Sequence, residues 1–258
     1  MGEDDLQHVT SVDGLPPADP SGGDVVVVCC AVAAEEAGLS ERSLAWLSDE
    51  ERHRAAKFAF ERDRLTFVAA HLLLRRCLER SSGRHDRGLV AGPFGKPALA
   101  PPFGTPPLGF NLTHTRGLVA CALGFGRELG IDAEAADRQA DHPQLARHYF
   151  AAEERDALER LPAAEQSAAF MAIWTLKEAV IKATGRGLSM PLDQFAVGLE
   201  TADVRFAPNA GEAEDGWLCA RRRLPEHHLA LAIRGAPGLA PPRRIRWAEI
   251  GWASLVTD

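Results

Sequence analysis

The sequence predicts an α+β fold made of two similar halves, and three observations carry that prediction. LSDEERHRAAKF begins at Leu47 and FAAEERDALERL begins at Phe150, an offset of 103. At the same offset Phe67 falls on Phe170, Ala69 on Ala172, LLLRRCL (72–78) on TLKEAVI (175–181) and VVVVCCA (25–31) on ELGIDAE (128–134). Each half then reads strand, short helix led by Glu-Glu-Arg, long helix, and the shared order weighs more than the few identities. Second, GPFGKPALAPPFGTPPLGF (92–110) parts the halves, with prolines that preclude long helices and central strands. Third, VRFAPN, WLCARRR, HLALAIRG and IRWAEI near the C-terminus alternate or run apolar between turn residues, the pattern of antiparallel strands.

Taken in order, residues 1–23 are polar, acidic and rich in Pro and Gly, without the basic start and apolar core of a signal peptide, and read as a disordered tail. VVVVCCAVA (25–33) is far too short to cross a bilayer and suits a buried strand. The first half is expected over 24–123. FNLTHT (110–115) reads as a strand and LVACALGFGRELGIDAE (118–134) as a hairpin leading into the second half, expected over 124–258. Gly185 marks the end of the long second-half helix.

Composition narrows the classes. Apolar residues make up 46% and charged residues 25%, an ordinary soluble balance, and a net charge of −7 argues against a dedicated nucleic-acid binder. No stretch has membrane length. Five cysteines without a CxxC read as buried free thiols, as in a reducing cytoplasm.

The chemistry is expected among carboxylates. Asp132 and Glu134 in GIDAE stand two apart, so strand alternation puts them on one face. They repel unless solvated or bridged by a cation, and both readings are open. On the long helix, at about 100° per residue, Phe170, Ile173, Trp174, Leu176, Val180 and Ile181 sweep one apolar arc. Glu178 lies at its rim, with Lys182 beyond. Lys177 lies inside it and must cross the arc to an acceptor. Glu178 and Lys182 are either an ordinary i,i+4 pair or part of a site. Three carboxylates from two elements make the hard oxygen set that Mg²⁺ accepts. At offset 103 the counterparts of Asp132, Glu134 and Glu178 are Cys29, Ala31 and Arg75, as expected of a duplicated unit with one active copy. Two phosphate motifs fail. GPFGKP has Pro97 where a Walker loop needs Ser or Thr, and GFGREL leads into a strand. Lys96 remains a candidate point charge for a phosphate, and His114, beside Thr113, a phosphate contact. His227 and His228 read as surface.

GIDAE, FAAEE (150–154) and WTLKEAVIK (174–182) followed by GRGL closely resemble the 4′-phosphopantetheinyl transferases, in the two-half, surfactin-type form. GKP (95–97), FNLTHT and the arginine-rich stretch from Glu50 to Arg64 resemble that family's upstream motifs, in the right order over most of residues 47–195. The resemblance implies two similar α/β halves related by pseudo-twofold symmetry, the first binding coenzyme A and the second Mg²⁺. It implies transfer of 4′-phosphopantetheine from coenzyme A to a serine of an apo acyl- or peptidyl-carrier protein, with release of 3′,5′-ADP. It places Asp132, Glu134 and Glu178 on the metal, Lys182 on the phosphates as a catalytic group beside Glu178, and Arg52 or Arg54, Arg64, Lys96, Thr113 and His114 on coenzyme A. Glu154 matches the FxxxE glutamate, its role open between orienting, proton acceptance and helix capping. A cytoplasmic monomer is expected, acting on carrier domains and on neither nucleic acid nor membrane. The rival functions are a Mg²⁺-dependent phosphohydrolase and a non-catalytic module that binds coenzyme A or a carrier protein.

Overall fold

The computed structural model describes residues 6–21, 23–32, 39–83, 88–92, 94–101, 104–236 and 238–257. In chain order the elements are β1 (Gln7–Val9), β2 (Asp24–Ala31), α1 (Glu41–Ala45), α2 (Asp49–Ala55), α3 (Glu61–Ser82), β3 (Leu89–Ala91), β4 (Pro97–Leu99), β5 (Leu108–Thr115), β6 (Leu118–Phe125), β7 (Arg127–Ala135), α4 (His142–Tyr149), α5 (Ala152–Glu159), α6 (Ala163–Thr184), β8 (Phe195–Val197), β9 (Val204–Phe206), β10 (Trp217–Arg223), β11 (His227–Gly235), β12 (Arg244–Ile250) and α7 (Trp252–Thr257). The chain divides into two units: residues 1–90, 98–127 and 242–258 form the first, and 91–97 with 128–241 the second.

The first unit is built on a five-stranded sheet in the order β1-β12-β2-β6-β5. Val25 to Cys30 of β2 are all buried, which is why that strand reads as an unbroken apolar run rather than an alternation. Leu65, Ala69, Leu72, Leu73 and Cys77 of α3 share a core with Val26, Val28, Cys30, Phe110 and Val119 of the sheet. The short α2 begins with a capping box: Ser48 accepts from the Glu51 N–H, and Glu51 accepts from the Ser48 N–H at 2.8 Å.

Four expectations are corrected here. Residues 6–21 are not a disordered tail: β1 pairs in parallel with β12, and Val9, Val12, Leu15 and Ala18 are buried. Residues 1–5 and 22 of that tail lie outside the described residues. IRWAEI, in β12, is not antiparallel to its neighbours and does not belong to the second half. It runs parallel to β2, with Ile245 opposite Val25. LVACALGFGRELGIDAE is not a hairpin: β6 pairs with β2 and β5, whereas β7 joins another sheet, and the hairpin is β5–β6. Finally, His227 and His228 are buried in β11.

The second unit has a three-stranded sheet in the order β10-β11-β7, with α6 packed on β11. Phe170, Ile173, Leu176, Val180 and Ile181 are buried, as the arc requires, and Trp174 is half-buried. α6 ends where Gly185 turns left-handed (φ 68°), a conformation that costs glycine nothing.

The element spacings depart from a single offset of 103 at the long helices. β2 and β7 begin 103 residues apart, as do α2 and α5. The two long helices each span 22 residues but begin 102 apart. Their ion pairs fix this. Glu51 of α2 meets Arg75 of α3 at 2.8 Å, and Glu154 of α5 meets Lys177 of α6 at 2.7 Å. Arg75 is therefore the counterpart of Lys177, and Arg76, not Arg75, that of Glu178.

Candidate active site

The site in the second unit is set by how closely α6 lies on β7. Gly130 is at the contact: a β-carbon there would stand 1.9 Å from the Ala179 carbonyl oxygen and 2.3 Å from the Ala183 nitrogen. Alternation puts Asp132 and Glu134 on the same face as Gly130. The absence of a side chain at 130 thus lets α6 carry residues 178 and 182 against the two strand carboxylates. We expect Gly130→Ala to push α6 off β7, costing about 3 kcal/mol or more, at the upper end of core overpacking. A melting temperature equal to that of the wild type would contradict this packing.

Asp132 is buried and takes a hydrogen bond from the Lys182 ammonium at 2.6 Å, and Lys182 also donates to the Ile131 carbonyl at 3.2 Å. Lys182 therefore serves the strand carboxylate rather than closing an i,i+4 pair with Glu178. Glu134 accepts from Arg138 and from Trp174, whose ring lies 5.7 Å from the Arg138 guanidinium. Burial, and next the charge of Asp132, push the carboxyls of both Glu134 and Glu178 above their ordinary value, while Lys182 and Arg138 pull them down. The same three charges act on both glutamates, so Asp132, Glu134, Glu178, Lys182 and Arg138 form one electrostatic cluster. Arg138 and Trp174 were not among the sequence-derived site residues. The spacing of Arg138 four after Glu134 was the one available signal.

As the side chains stand, no three His, Cys, Asp or Glu among the described residues form a metal-binding group. Asp132 is turned to Lys182 and Glu134 to Arg138. The donor chemistry nonetheless fits a hard divalent cation: two carboxylates on one strand face and one on the packed helix, with burial and mutual repulsion disfavouring their charged forms.

Glu154 and Lys177 explain the charge inside the apolar arc. Lys177 is 0% exposed, and its ammonium donates to Glu154 Oε1 at 2.8 Å, Glu154 Oε2 at 2.7 Å and the Phe195 carbonyl at 2.6 Å. Glu154, 2% exposed, also accepts from the N–H of Ala151 and of Val197, both at 2.8 Å. Burial pushes the Glu154 carboxyl up and the Lys177 ammonium down, against their attraction for each other. With both oxygens engaged, Glu154 caps α5 and anchors α6, and of its three open roles proton acceptance is the one this geometry leaves out.

Lys96 also lies in the second unit. Its ammonium donates to the Leu129 carbonyl at 2.8 Å and the Ala183 carbonyl at 3.1 Å, tying β7 to the last turn of α6. Burial lowers its pKa from 10.5 to about 8. A lysine with a depressed native pKa binds its proton more weakly folded than unfolded, so its contribution to stability improves as pH rises between the two values. We expect the stability of the wild type, relative to Lys96→Met, to increase between pH 8 and 10.5. A flat difference across that window would contradict the burial of this ammonium.

The remaining candidates lie in the first unit. Arg52 donates to the Leu44 carbonyl at 3.2 Å, to the Leu47 carbonyl and to Asp49, so its guanidinium is committed to the turn between α1 and α2. Arg54 is exposed and lies 5.3 Å from the Phe67 ring centre. Arg64 makes a two-pronged pair with Glu61 at 2.8 and 2.9 Å. Thr113 is buried and His114 exposed on the edge strand β5, and as neighbours in a strand they point to opposite faces.

The sequence profile of the 4′-phosphopantetheinyl transferase superfamily matches residues 128–232, from the start of β7 into β11. Among curated proteins, the 4′-phosphopantetheinyl transferase HetI of Nostoc sp. is 35% identical over 64% of this chain and 71% of its own length. The putative 4′-phosphopantetheinyl transferase slr0495 of Synechocystis sp. is 31% identical over 70% and 74%. The 4′-phosphopantetheinyl transferase Sfp of Bacillus subtilis is 29% identical over 62% and 70%. A solved structure, the holo-[acyl-carrier-protein] synthase (AcpS) of Thermotoga maritima, aligns with a TM-score of 0.35 at 18% identity, covering 42% of this chain and 62% of that one, too loosely to argue from. The profile match spans the carboxylate strand, α6 and the sheet beneath it, and HetI and slr0495 extend the likeness beyond them: the chain belongs to the 4′-phosphopantetheinyl transferase superfamily.

Proposed function

We propose that this transferase moves the 4′-phosphopantetheine arm of coenzyme A onto a serine of an apo carrier protein, releasing 3′,5′-ADP, as a cytoplasmic monomer. The observation that carries the reading is the cluster of Asp132, Glu134, Glu178 and Lys182, gathered where Gly130 seats α6 on β7.

Asp132, Glu134 and Glu178 are proposed to hold Mg²⁺, which when bound neutralises charge on the pyrophosphate as its bond breaks. Lys182 is proposed as the cation that meets the departing phosphate. Its ammonium, held by Asp132, can turn to the departing phosphate and stabilise it. The carrier serine must lose a proton as it attacks. Glu178, half-buried on the rim of α6 within the cluster, is proposed as the acceptor, since both oxygens of Glu154 are engaged by Lys177. Trp174 and Arg138 hold Glu134 in place.

Arg54 and Arg64, with Thr113 and His114, are proposed for the coenzyme's phosphates. Arg54 fits better than Arg52, whose donors already serve Leu44, Leu47 and Asp49. Because Arg64 lies outside the reacting cluster, Arg64→Ala is expected to raise KM for coenzyme A about tenfold, the scale of one charge-assisted hydrogen bond, with little change in kcat. A fall in kcat at constant KM would remove Arg64 from the phosphate site.

The function is tested by incubating the protein with coenzyme A, Mg²⁺ and an apo-carrier domain and weighing the carrier. A gain of one phosphopantetheine is expected. Hydrolysis of coenzyme A without that gain would favour a phosphohydrolase instead.

A further inference from the structure

The corrected register of the repeat opens a second site, in the first unit. Arg75 stands on α3 where Lys177 stands on α6, each paired with the capping glutamate of its short helix. Counting on from that match, Arg76 takes the place of Glu178, and Arg80 that of Lys182. The strand offset sets Cys29 against Asp132 and Ala31 against Glu134. Glu178 on α6 is thus matched by a guanidinium on α3, Lys182 by a second cation, and the strand carboxylates by Cys29 and Ala31.

Those guanidiniums line a cavity. Arg76 and Arg80 of α3 and Arg42 of α1 surround a space of about 790 Å³ with Ser11, Asp13 and Glu79. Arg76 is 7% exposed, and its guanidinium is stacked 3.9 Å above the Trp46 ring, so its plane is held before any ligand arrives. Asp13 approaches Arg80 only to 4.0 Å with its own side chain almost fully exposed, a loose pair. Three positive groups against two carboxylates leave the lining cationic.

We propose that this cavity binds a phosphoryl-type oxyanion on Arg42, Arg76 and Arg80. Its guanidiniums present planar forks that match a tetrahedral oxyanion without a metal. The anion is either free phosphate or a phosphoryl group on a nucleotide.

The proposal is tested by NMR of the arginine side-chain Nε–H signals in the full chain, with EDTA present, titrating inorganic phosphate and separately 3′,5′-ADP. Assignment comes from Arg42→Gln, Arg80→Gln and Arg76→Lys. Saturable shifts of the Arg42, Arg76 and Arg80 signals are expected, with affinity at least tenfold weaker in the Arg42→Gln/Arg80→Gln protein, whose two replaced side chains are partly exposed. Arg76→Lys keeps the charge and loses the fork, and is expected to weaken binding severalfold. Shifts with phosphate alone identify the free ion. Stronger binding of 3′,5′-ADP at the same signals identifies a nucleotide phosphoryl group. If neither anion moves these three signals, or if they move only with arginines outside the cavity, the proposal is overturned. Because binding is read on the arginine signals themselves, the result does not depend on the transfer reaction.

Discussion

Glu178→Gln is expected to abolish measurable transfer while leaving the fold intact. The substitution keeps shape and removes charge at a half-buried position on the rim of α6, where no core contact is lost. In the wild type the Glu178 carboxyl shares its electrostatic surroundings with Asp132, Lys182 and Arg138. An amide there can neither complete a trio of carboxylates nor accept the serine proton. Loss of one well-placed charge-stabilising group typically costs about 10²–10³ in turnover, and a residue with two such roles belongs at or beyond the upper end. Single-turnover transfer to an apo-carrier domain measures it, with the melting temperature as the check on folding. A loss below tenfold in a normally folded variant would take Glu178 out of the reacting set.

Lys177→Met is expected to have the largest effect on stability of any conservative change in the second unit. The ammonium is completely enclosed and makes three hydrogen bonds, two of them to a carboxylate that is itself buried. Removing it strands the Glu154 charge, a loss of about 3–5 kcal/mol. An exposed pair such as Arg205 with Glu153, at 3.0 Å, contributes at most about 1 kcal/mol. Desolvation thus decides the contrast, since the distances are alike. Denaturant unfolding of Lys177→Met and of Glu154→Leu/Lys177→Met separates the terms. The double variant is expected to regain much of the single variant's loss, because no lone charge remains buried. Equal stability of Lys177→Met and wild type would mean that the pair is not desolvated.

The order strand, short helix, long helix is legible in both stretches of the sequence, and β2 with β7 and α2 with α5 keep one offset. The one-residue change before the long helix was not legible. So few side chains are shared that the gap could not be placed until the pairs Glu51–Arg75 and Glu154–Lys177 located it. The error mattered, since it hid Arg76 behind Arg75. Residues 6–21 were misread for a related reason. Their composition is polar, but Val9, Val12, Leu15 and Ala18 recur every third position and are buried. An interval of three belongs neither to a strand nor to a long amphipathic helix. β12 reads as a strand in any pattern, yet alternation does not say which strand it pairs with.

In the candidate site, strand alternation put Asp132 and Glu134 together, and helix periodicity put Glu178 at a rim and Lys177 inside the core. Lys182 was harder to place. The i,i+4 spacing favours Glu178, and only the close seat at Gly130 brings Asp132 near enough to take the ammonium instead. The two carbonyls that Lys96 meets are not legible in the sequence, because nothing local shows that β7 and the end of α6 lie beside it.

The central claim is that Asp132, Glu134 and Glu178 hold one divalent ion between them. Titration with Mn²⁺ in place of Mg²⁺, read by its electron paramagnetic resonance in the presence of coenzyme A, tests it most directly. The expected result is one tightly bound ion in the wild type, weakened at least tenfold in each of Asp132→Asn, Glu134→Gln and Glu178→Gln, the usual cost of losing a ligand or its support. One ion bound with unchanged affinity in all three variants would contradict it.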